Sequence, residues 1–471
     1  MLHMKKIIVH ALLFLVSASY ANVRLPAVLS SNMVLQQQSN VKLWGWAGPA
    51  EMIYITTSWN KKTDSVKATR DANWQLMVQT PAAGGPYTIT FKGNNTVTLD
   101  NVLIGEVWIL SGQSNMEMNE GWGLPDVRAE LPTCANKNIR FFYIPKTTAV
   151  TPQDDTKAEW TLCDSNTLKP FSAVGYFFGK KLNADLNVPI GLINANWGGT
   201  PAEVWTPAEL VNNDPELKVS AAKQQPYDWW PLTPGATFNG MLAPVTNFSI
   251  AGALWYQGEG NTIAPNTYSK LLTTMIDAWR KAWNKNIPFY YVQIAPFTYG
   301  NNYIGSIIRE QQTKAMAHDN VGMVVTTDLV DDTADIHPKN KHDVGYRLAN
   351  WALAETYHKS GIVYKSPVYR GMEIQKDKAT LFFDNAPTCL IALDKNIRSL
   401  YIAGADKIFY PATAKIENDK LIVSAKQVPQ PVAVRFCFTN AGVGNLFSKE
   451  GLPVAPFRTD DWELDTSKPV K

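Results

Sequence analysis

The chain has 471 residues, which at the usual domain size allows roughly two to four domains and a large core. Lys plus Arg number 44 against 41 Asp plus Glu, a net charge of +3 with no long run of either sign. That pattern carries no footprint of a nucleic-acid partner and favours a neutral small molecule or polysaccharide.

The first 21 residues combine Lys5 and Lys6, an apolar run from Ile7 to Val16 and the small-residue pattern Ser19-Tyr20-Ala21. This is the layout of a secretory signal peptide cleaved after Ala21, and its apolar run is too short to span a bilayer. An exported protein, periplasmic or extracellular, with no transmembrane segment in the mature chain is expected. Export puts Cys134, Cys163, Cys389 and Cys437 where disulfides persist. Sequence leaves open which of them pair, or whether they are buried thiols.

Residues 22–101 contain short alternating segments, "VKLWGWA", "EMIYITTSW", "NWQLMVQT" and "PYTITFKG", separated by Gly, Pro, Asn and Asp, which predict a small antiparallel β domain. From 102 to 360 apolar runs ("VWIL", "IGLINA", "GALWYQ", "FYYVQI", "GMVVTT") alternate with helix-period segments. In "PFSAVGYFFGKKLNADLN", Phe171, Val174, Phe178, Leu182 and Leu186 share one face. In "NTYSKLLTTMIDAWRKAWN" the apolar residues from Tyr268 to Trp279 do so, and Asn266 is a candidate cap. The alternation predicts an α/β fold with a doubly wound parallel sheet, whose sites lie at the carboxyl ends of its strands. Residues 361–471 return to short strands such as "KATLFFDN", "SLYIAG", "KIENDKLIVSA" and "PVAVRFCFTN", a second β-rich region.

The loops after the central runs should meet in one crevice. "VLIGEVWIL" ends in Ser-Gly and is followed by "GQSNM", which displays Ser114 at a strand end. "IGLINAN" leads to Trp197-Gly198-Gly199-Thr200, "GALWY" to Gln257-Gly258-Glu259-Gly260-Asn261, and "MVVTTDLVDDTA" to Asp335-Ile336-His337-Pro338. Acyl transfer needs these residue types. A serine requires a base, usually His, whose orientation a carboxylate fixes, and the tetrahedral oxyanion requires preset N–H donors. Glycine lets a backbone N–H approach closely, and an Asn or Gln amide also donates.

The blocks "GEVWILSGQSNMEM", "NANWGGTPAEVW", "WYQGEGN" and "DIHPKNKHDVGYRLA" resemble those of the sialate O-acetylesterase family, a carbohydrate-esterase branch of the SGNH/GDSL hydrolases. The resemblance runs from Leu25 to Trp462, including "LPAVLSSNMVLQQQ" and "GLPVAPFRTDDW". It implies an SGNH-type catalytic domain, with Ser114 as nucleophile, His337 as general base and Asp335 as orienting acid. It also implies oxyanion donors from the backbones of Ser114 and Gly199 and the side chain of Gln257. Two departures stand out: the acid precedes the histidine by two residues rather than three, with Asp328, Asp331 and Asp332 nearby, and Gln257 stands where Asn is usual. Glu259 reads either as a solvated charge or, with Asn261, as a group holding the loops from behind.

The expected function is a serine esterase that removes O-acetyl groups from carbohydrates through an acetyl-enzyme, with no metal or organic cofactor. The alternatives are a carbohydrate-binding protein that kept the fold without catalysis, and a metal-dependent hydrolase using His337 with Asp335, His342 and Asp343. His342 and Asp343, however, begin the helix "KHDVGYRLANWALAETYH". His318 and His358 suit helix ends, Arg309 reads as a surface charge, and Trp197, Trp205 and Trp255 read as packing residues. Sialate would call for an Arg or Lys aimed at its carboxylate. The candidate rim stretches "NEGWGLPDV" and "QQPYDWWPLTPGATFNG" are aromatic and hold no basic residue, although Arg128 and Lys223 adjoin them. A neutral sugar such as acetylated xylan is therefore expected, with O-acetyl sialic acid as the alternative.

Overall fold

Alternating buried and exposed residues form a run of short strands after Val23: β1 (Val34–Gln36), β2 (Asn40–Trp46), β3 (Met52–Thr57), β4 (Thr63–Lys67), β5 (Asn73–Gln79) and β6 (Gly84–Lys92). The computed structural model describes residues 22–468, so the expected leader lies outside the described residues. β2 pairs antiparallel with β5, and β3 with β4 and β6, as the period-two pattern predicts. β1 runs parallel to the next strand, β7 (Thr96–Gly112), a local exception to the antiparallel expectation.

β7 joins the two regions. Its first half alternates and pairs antiparallel with β6, whereas from Leu103 onward every residue is buried. The boundary expected at 101/102 falls inside this 17-residue strand, so both regions share it. Beyond it lie β8 (Asn136–Tyr143), β9 (Trp160–Cys163), β10 (Ile190–Asn196), β11 (Gly252–Tyr256), β12 (Phe289–Val292) and β13 (Val321–Val324). The order across the sheet is β13-β12-β11-β7-β10-β8-β9, and all neighbours are parallel except β8 and β9. This is the expected doubly wound α/β sheet, with β7 at the point where the strand order reverses.

Successive side chains of β7 point to opposite faces. Val107 and Ile109 join one apolar cluster with Leu271 and Met275 of the helix Tyr268–Trp283 and Ile308 of the helix Ile304–Ala315. Trp108 and Leu110 join the other, with Val174 and Phe178 of Ala173–Leu186 and Leu348 of His342–Trp351. The helix at Ala173 is capped by Ser172, whose Oγ accepts from the Gly175 N–H at 3.1 Å. Asn266 caps nothing: Pro265–Thr267 form a 3₁₀ turn ahead of Tyr268, and the capping position falls to Thr267, whose hydroxyl turns to Ser220 at 2.8 Å.

The C-terminal strands form two four-stranded sheets and smaller pairings around their own apolar cluster. Arg458 ties them to the central region through Glu310 at 2.8 Å. Arg309 also does so, contrary to its reading as a surface charge: it is 0% exposed, and its guanidinium donates to the carbonyls of Thr439 and, at 3.2 Å, Asn440. All four cysteines are free thiols, with Cys163 donating to the Cys134 carbonyl at 3.2 Å. Among the described residues no helix is long and apolar enough to cross a membrane.

The end of β7 admits only glycine. Gly112 has φ +136°, and a Cβ there would lie 2.2 Å from the carbonyl oxygen of Tyr256. Gly112→Ala is expected to lower stability by roughly 2–4 kcal/mol, combining backbone strain with overpacking. Urea unfolding measures this, and an unchanged midpoint would show that β7 and β11 are free to move apart.

Candidate active site

Register brings the strand ends together. Gly112 lies opposite Asn196 of β10 and Tyr256 of β11, so three strands end level and their loops begin side by side. The chain then turns sharply, and Ser114 opens a single helical turn, Ser114–Glu117. Asn115 and Met116 are fully buried beneath it, while Ser114 keeps 8% exposure. The long loop after β13 returns over this point and carries Asp335 and His337.

His337 Nε2 lies 2.9 Å from Ser114 Oγ. Trp122 and the imidazole meet in a T-shaped contact with ring centroids 5.1 Å apart. Burial holds the imidazole below its ordinary pKa, the Lys341 charge pushes the same way, and Asp335 opposes both. His337 is therefore neutral at neutral pH, with a ring nitrogen free to accept the serine proton. Asp335 Oδ1 accepts the backbone N–H of His337 at 2.9 Å and stands 3.8 Å from His337 Nδ1, beyond hydrogen-bond reach. Asp328 is engaged by Arg347 at 2.8 and 2.5 Å, Asp332 accepts from Ala334 N–H at 2.8 Å, and Asp331 lines a surface hollow with Lys339 and His342.

The glycine pair forms a cradle. Glu117 Oε2 accepts the Gly198 N–H at 2.5 Å, and Lys146 holds the other carboxylate oxygen at 2.7 Å. Gly199 has φ +80°, and a Cβ there would lie 2.1 Å from the Trp230 ring, so the indole closes directly over bare backbone. Among the described residues, the N–H groups of Ser114 and Gly199 donate to no protein group. Two such donors flanking a serine hydroxyl can receive an oxyanion.

Gln257 does not join them. It is 0% exposed, and its Nε2 donates to Thr200 O at 3.2 Å and Asn261 Oδ1 at 2.8 Å, while its Oε1 accepts from Tyr268 OH at 2.8 Å. In this arrangement both protons of the amide are committed, and Gln257 holds the loop that carries Gly199. Asn261 belongs to the same support: its Oδ1 accepts from Ala202 N–H at 2.9 Å and its Nδ2 donates to Glu203 at 2.8 Å.

Glu259 is buried rather than solvated. Its Oε1 accepts from Asn115 Nδ2 at 2.7 Å, and Lys341 Nζ donates to Asn115 Oδ1 at 2.6 Å. Asn115 also donates to the carbonyl of Ile336 at 3.1 Å. Burial raises the Glu259 carboxyl above its usual range and pulls the Lys341 ammonium down to about 7. Asn115, Glu117 and Lys341 are not among the candidates that sequence suggests. They lie inside the motif blocks, but a side chain that serves by bridging loops carries no residue-type signature.

His342 turns away to Asp343 at 2.8 Å and against the Tyr346 ring at 4.0 Å. Among the described residues no cluster of three or more His, Cys, Asp or Glu is arranged to hold a metal. Trp205 and Trp255 are core residues as expected. Trp197 sits at the rim, its Nε1 donating to the Trp229 carbonyl at 2.8 Å, and Tyr227 stacks on Trp230 at 4.4 Å.

Residues 104–354 match the family model described as carbohydrate esterase, sialic acid-specific acetylesterase. The human sialate O-acetylesterase is 30% identical over 403 residues, 76% of each chain, and the mouse enzyme is 26% identical over 414 residues, covering 74% of this chain and 76% of its own. The crystal structure of a carbohydrate acetylesterase from Xanthomonas citri is 34% identical with a TM-score of 0.86, covering 93% of this chain and all of that one. The chain belongs to the sialic acid-specific acetylesterase family of carbohydrate esterases and is a carboxylic ester hydrolase.

Proposed function

We propose that the protein is an exported serine esterase that removes O-acetyl groups from neutral carbohydrates through an acetyl-enzyme. The observation that carries the mechanism is the 2.9 Å contact between Ser114 Oγ and His337 Nε2, with an imidazole kept neutral by its surroundings. Ser114 Oγ attacks the acetyl carbonyl as His337 Nε2 takes its proton. The N–H groups of Ser114 and Gly199 receive the oxyanion, and the sugar hydroxyl leaves with the proton from His337. Water then gives a proton to the same nitrogen and attacks the acetyl-serine; His337 returns that proton to Ser114 Oγ as the acyl bond breaks and acetate leaves. Asp335 orients the imidazole and offsets the charge that develops on it. No metal or organic cofactor enters this scheme.

A neutral sugar is supported by the rim, where Trp122, Trp197, Tyr227, Trp229 and Trp230 offer apolar faces. Of the nearby cations, Lys146 is engaged by Glu117 at 2.7 Å and Arg128 by Glu120 at 3.3 Å. Acetylated xylan is the preferred substrate class and O-acetyl sialic acid the alternative. The leader-like first 21 residues support export to the periplasm or beyond.

Ser114→Ala should leave the unfolding midpoint unchanged and lower turnover of an aryl acetate by about three or more powers of ten, since removing one triad member disables the unit. Near wild-type turnover would rule out the serine mechanism. Asp335→Asn is expected to cost a few powers of ten, whereas Asp331→Asn and Asp332→Asn cost little; if either neighbour proves the sensitive one, the orienting role moves there. For the substrate, acetate release from xylan oligomers and from O-acetyl sialic acid is to be compared side by side. A kcat/KM for the sialate higher by about tenfold, some 1.4 kcal/mol in transition-state binding, would overturn the preference for a neutral sugar.

A further inference from the structure

Lys341 sits where an ammonium is costly. It is 0% exposed, its ammonium makes one hydrogen bond among the described residues, to Asn115 Oδ1 at 2.6 Å, and the Tyr256 ring lies 5.3 Å from its nitrogen. A charge so far from water requires compensation. The nearby carboxylate, Glu259, is reached only through the Asn115 amide, whose Nδ2 meets Glu259 Oε1 at 2.7 Å.

This arrangement fixes the amide in one sense. Its oxygen must face the cation and its NH2 group the carboxylate, because a flipped amide would set dipoles against both charges. In that sense alone the remaining N–H points at the carbonyl of Ile336, 3.1 Å away, in the residue before His337. Asn115 follows Ser114 directly, so the amide spans the serine turn and the histidine loop. Asp126 secures the far side, accepting the backbone N–H groups of Lys341 and His342 at 3.1 and 3.0 Å.

We propose that Lys341 is a positioning residue of the esterase: with Glu259 it orients Asn115, and Asn115 in turn holds the His337 loop at hydrogen-bond distance from Ser114. The consequence for catalysis rests on the serine reading above. The effect on His337 itself does not. The charges that act on the imidazole are Lys341, at the start of the following helix, and Asp335, in its own loop; Glu259, Asp126 and Asp335 act in turn on Lys341. Removing the Lys341 cation leaves only negative charge facing the ring, so His337 should become a stronger base.

The test compares Lys341→Met and the double variant Lys341→Met/Glu259→Gln with the parent protein, with aryl acetate kinetics across pH, thermal unfolding and NMR titration of His337. Lys341→Met is expected to lower kcat about 10- to 100-fold, the scale of a small misplacement of reacting groups, with KM within about twofold. The His337 titration and the acid limb of kcat/KM should both move to higher pH. The double variant buries no unpaired charge and should regain the stability lost by the single one, yet its kcat should remain low because the Asn115 oxygen has lost its donor and its NH2 group is held by neutral acceptors alone. Recovery of kcat with stability in the double variant, or an unmoved His337 titration in Lys341→Met, overturns the proposal. Should Lys341→Met not fold, the double variant decides alone by its kcat. Activity surviving in Ser114→Ala would instead refute the serine reading, and the His337 titration would then uphold or overturn the role of Lys341.

Discussion

Gly112 faces Asn196 across one strand pairing and Tyr256 across the other, and its backbone packs so closely on Tyr256 that no side chain fits. That register decides what meets at the top of the sheet. Had β10 or β11 slipped by one residue, its loop would start one step off and its side chains would face the opposite helix layer. With the register as it is, the serine turn, the glycine pair and the Gln257 loop start level. Helices on both faces then hold the strands in place through two separate apolar clusters.

Above that base the site is stitched by amides rather than by charges alone. Gln113 Oε1 accepts the Gly260 N–H at 3.0 Å, Asn115 bridges to Ile336, and Gln257 grips Thr200 and Asn261. Each amide joins loops from different strands, and each is buried, so losing one partner would leave a polar group unsatisfied at a cost of about 1–3 kcal/mol. Such a lattice keeps the loops in one arrangement and water out. The low dielectric that results strengthens every interaction aimed at the reacting carbonyl. It also explains why the imidazole stays neutral: the same burial that stiffens the loops penalises the imidazolium.

Much of this is legible in the sequence. β7 and β10 to β13 are readable because buried parallel strands are continuous apolar runs bounded by turn residues. β8 and β9 are not, since "NKNIRFFY" mixes charge into a buried strand and "WTLC" is only four residues long. Ser114 and His337 stand out by residue type and order. Arg309 and Lys341 escape a correct reading for one shared reason: their partners lie far away in the chain, Asn440 for Arg309 and Asn115 for Lys341. Local pattern reports what a residue is, whereas burial of a polar group depends on partners that only the fold supplies.

The central claim is that acetyl passes through Ser114. Rapid mixing with an aryl acetate, followed by acid quench and peptide mapping, tests it directly. A burst of phenol equal to the enzyme concentration is expected, with one acetyl group on the peptide that contains Ser114. Steady turnover with no burst and no acetylated Ser114 peptide at any quench time would contradict the account.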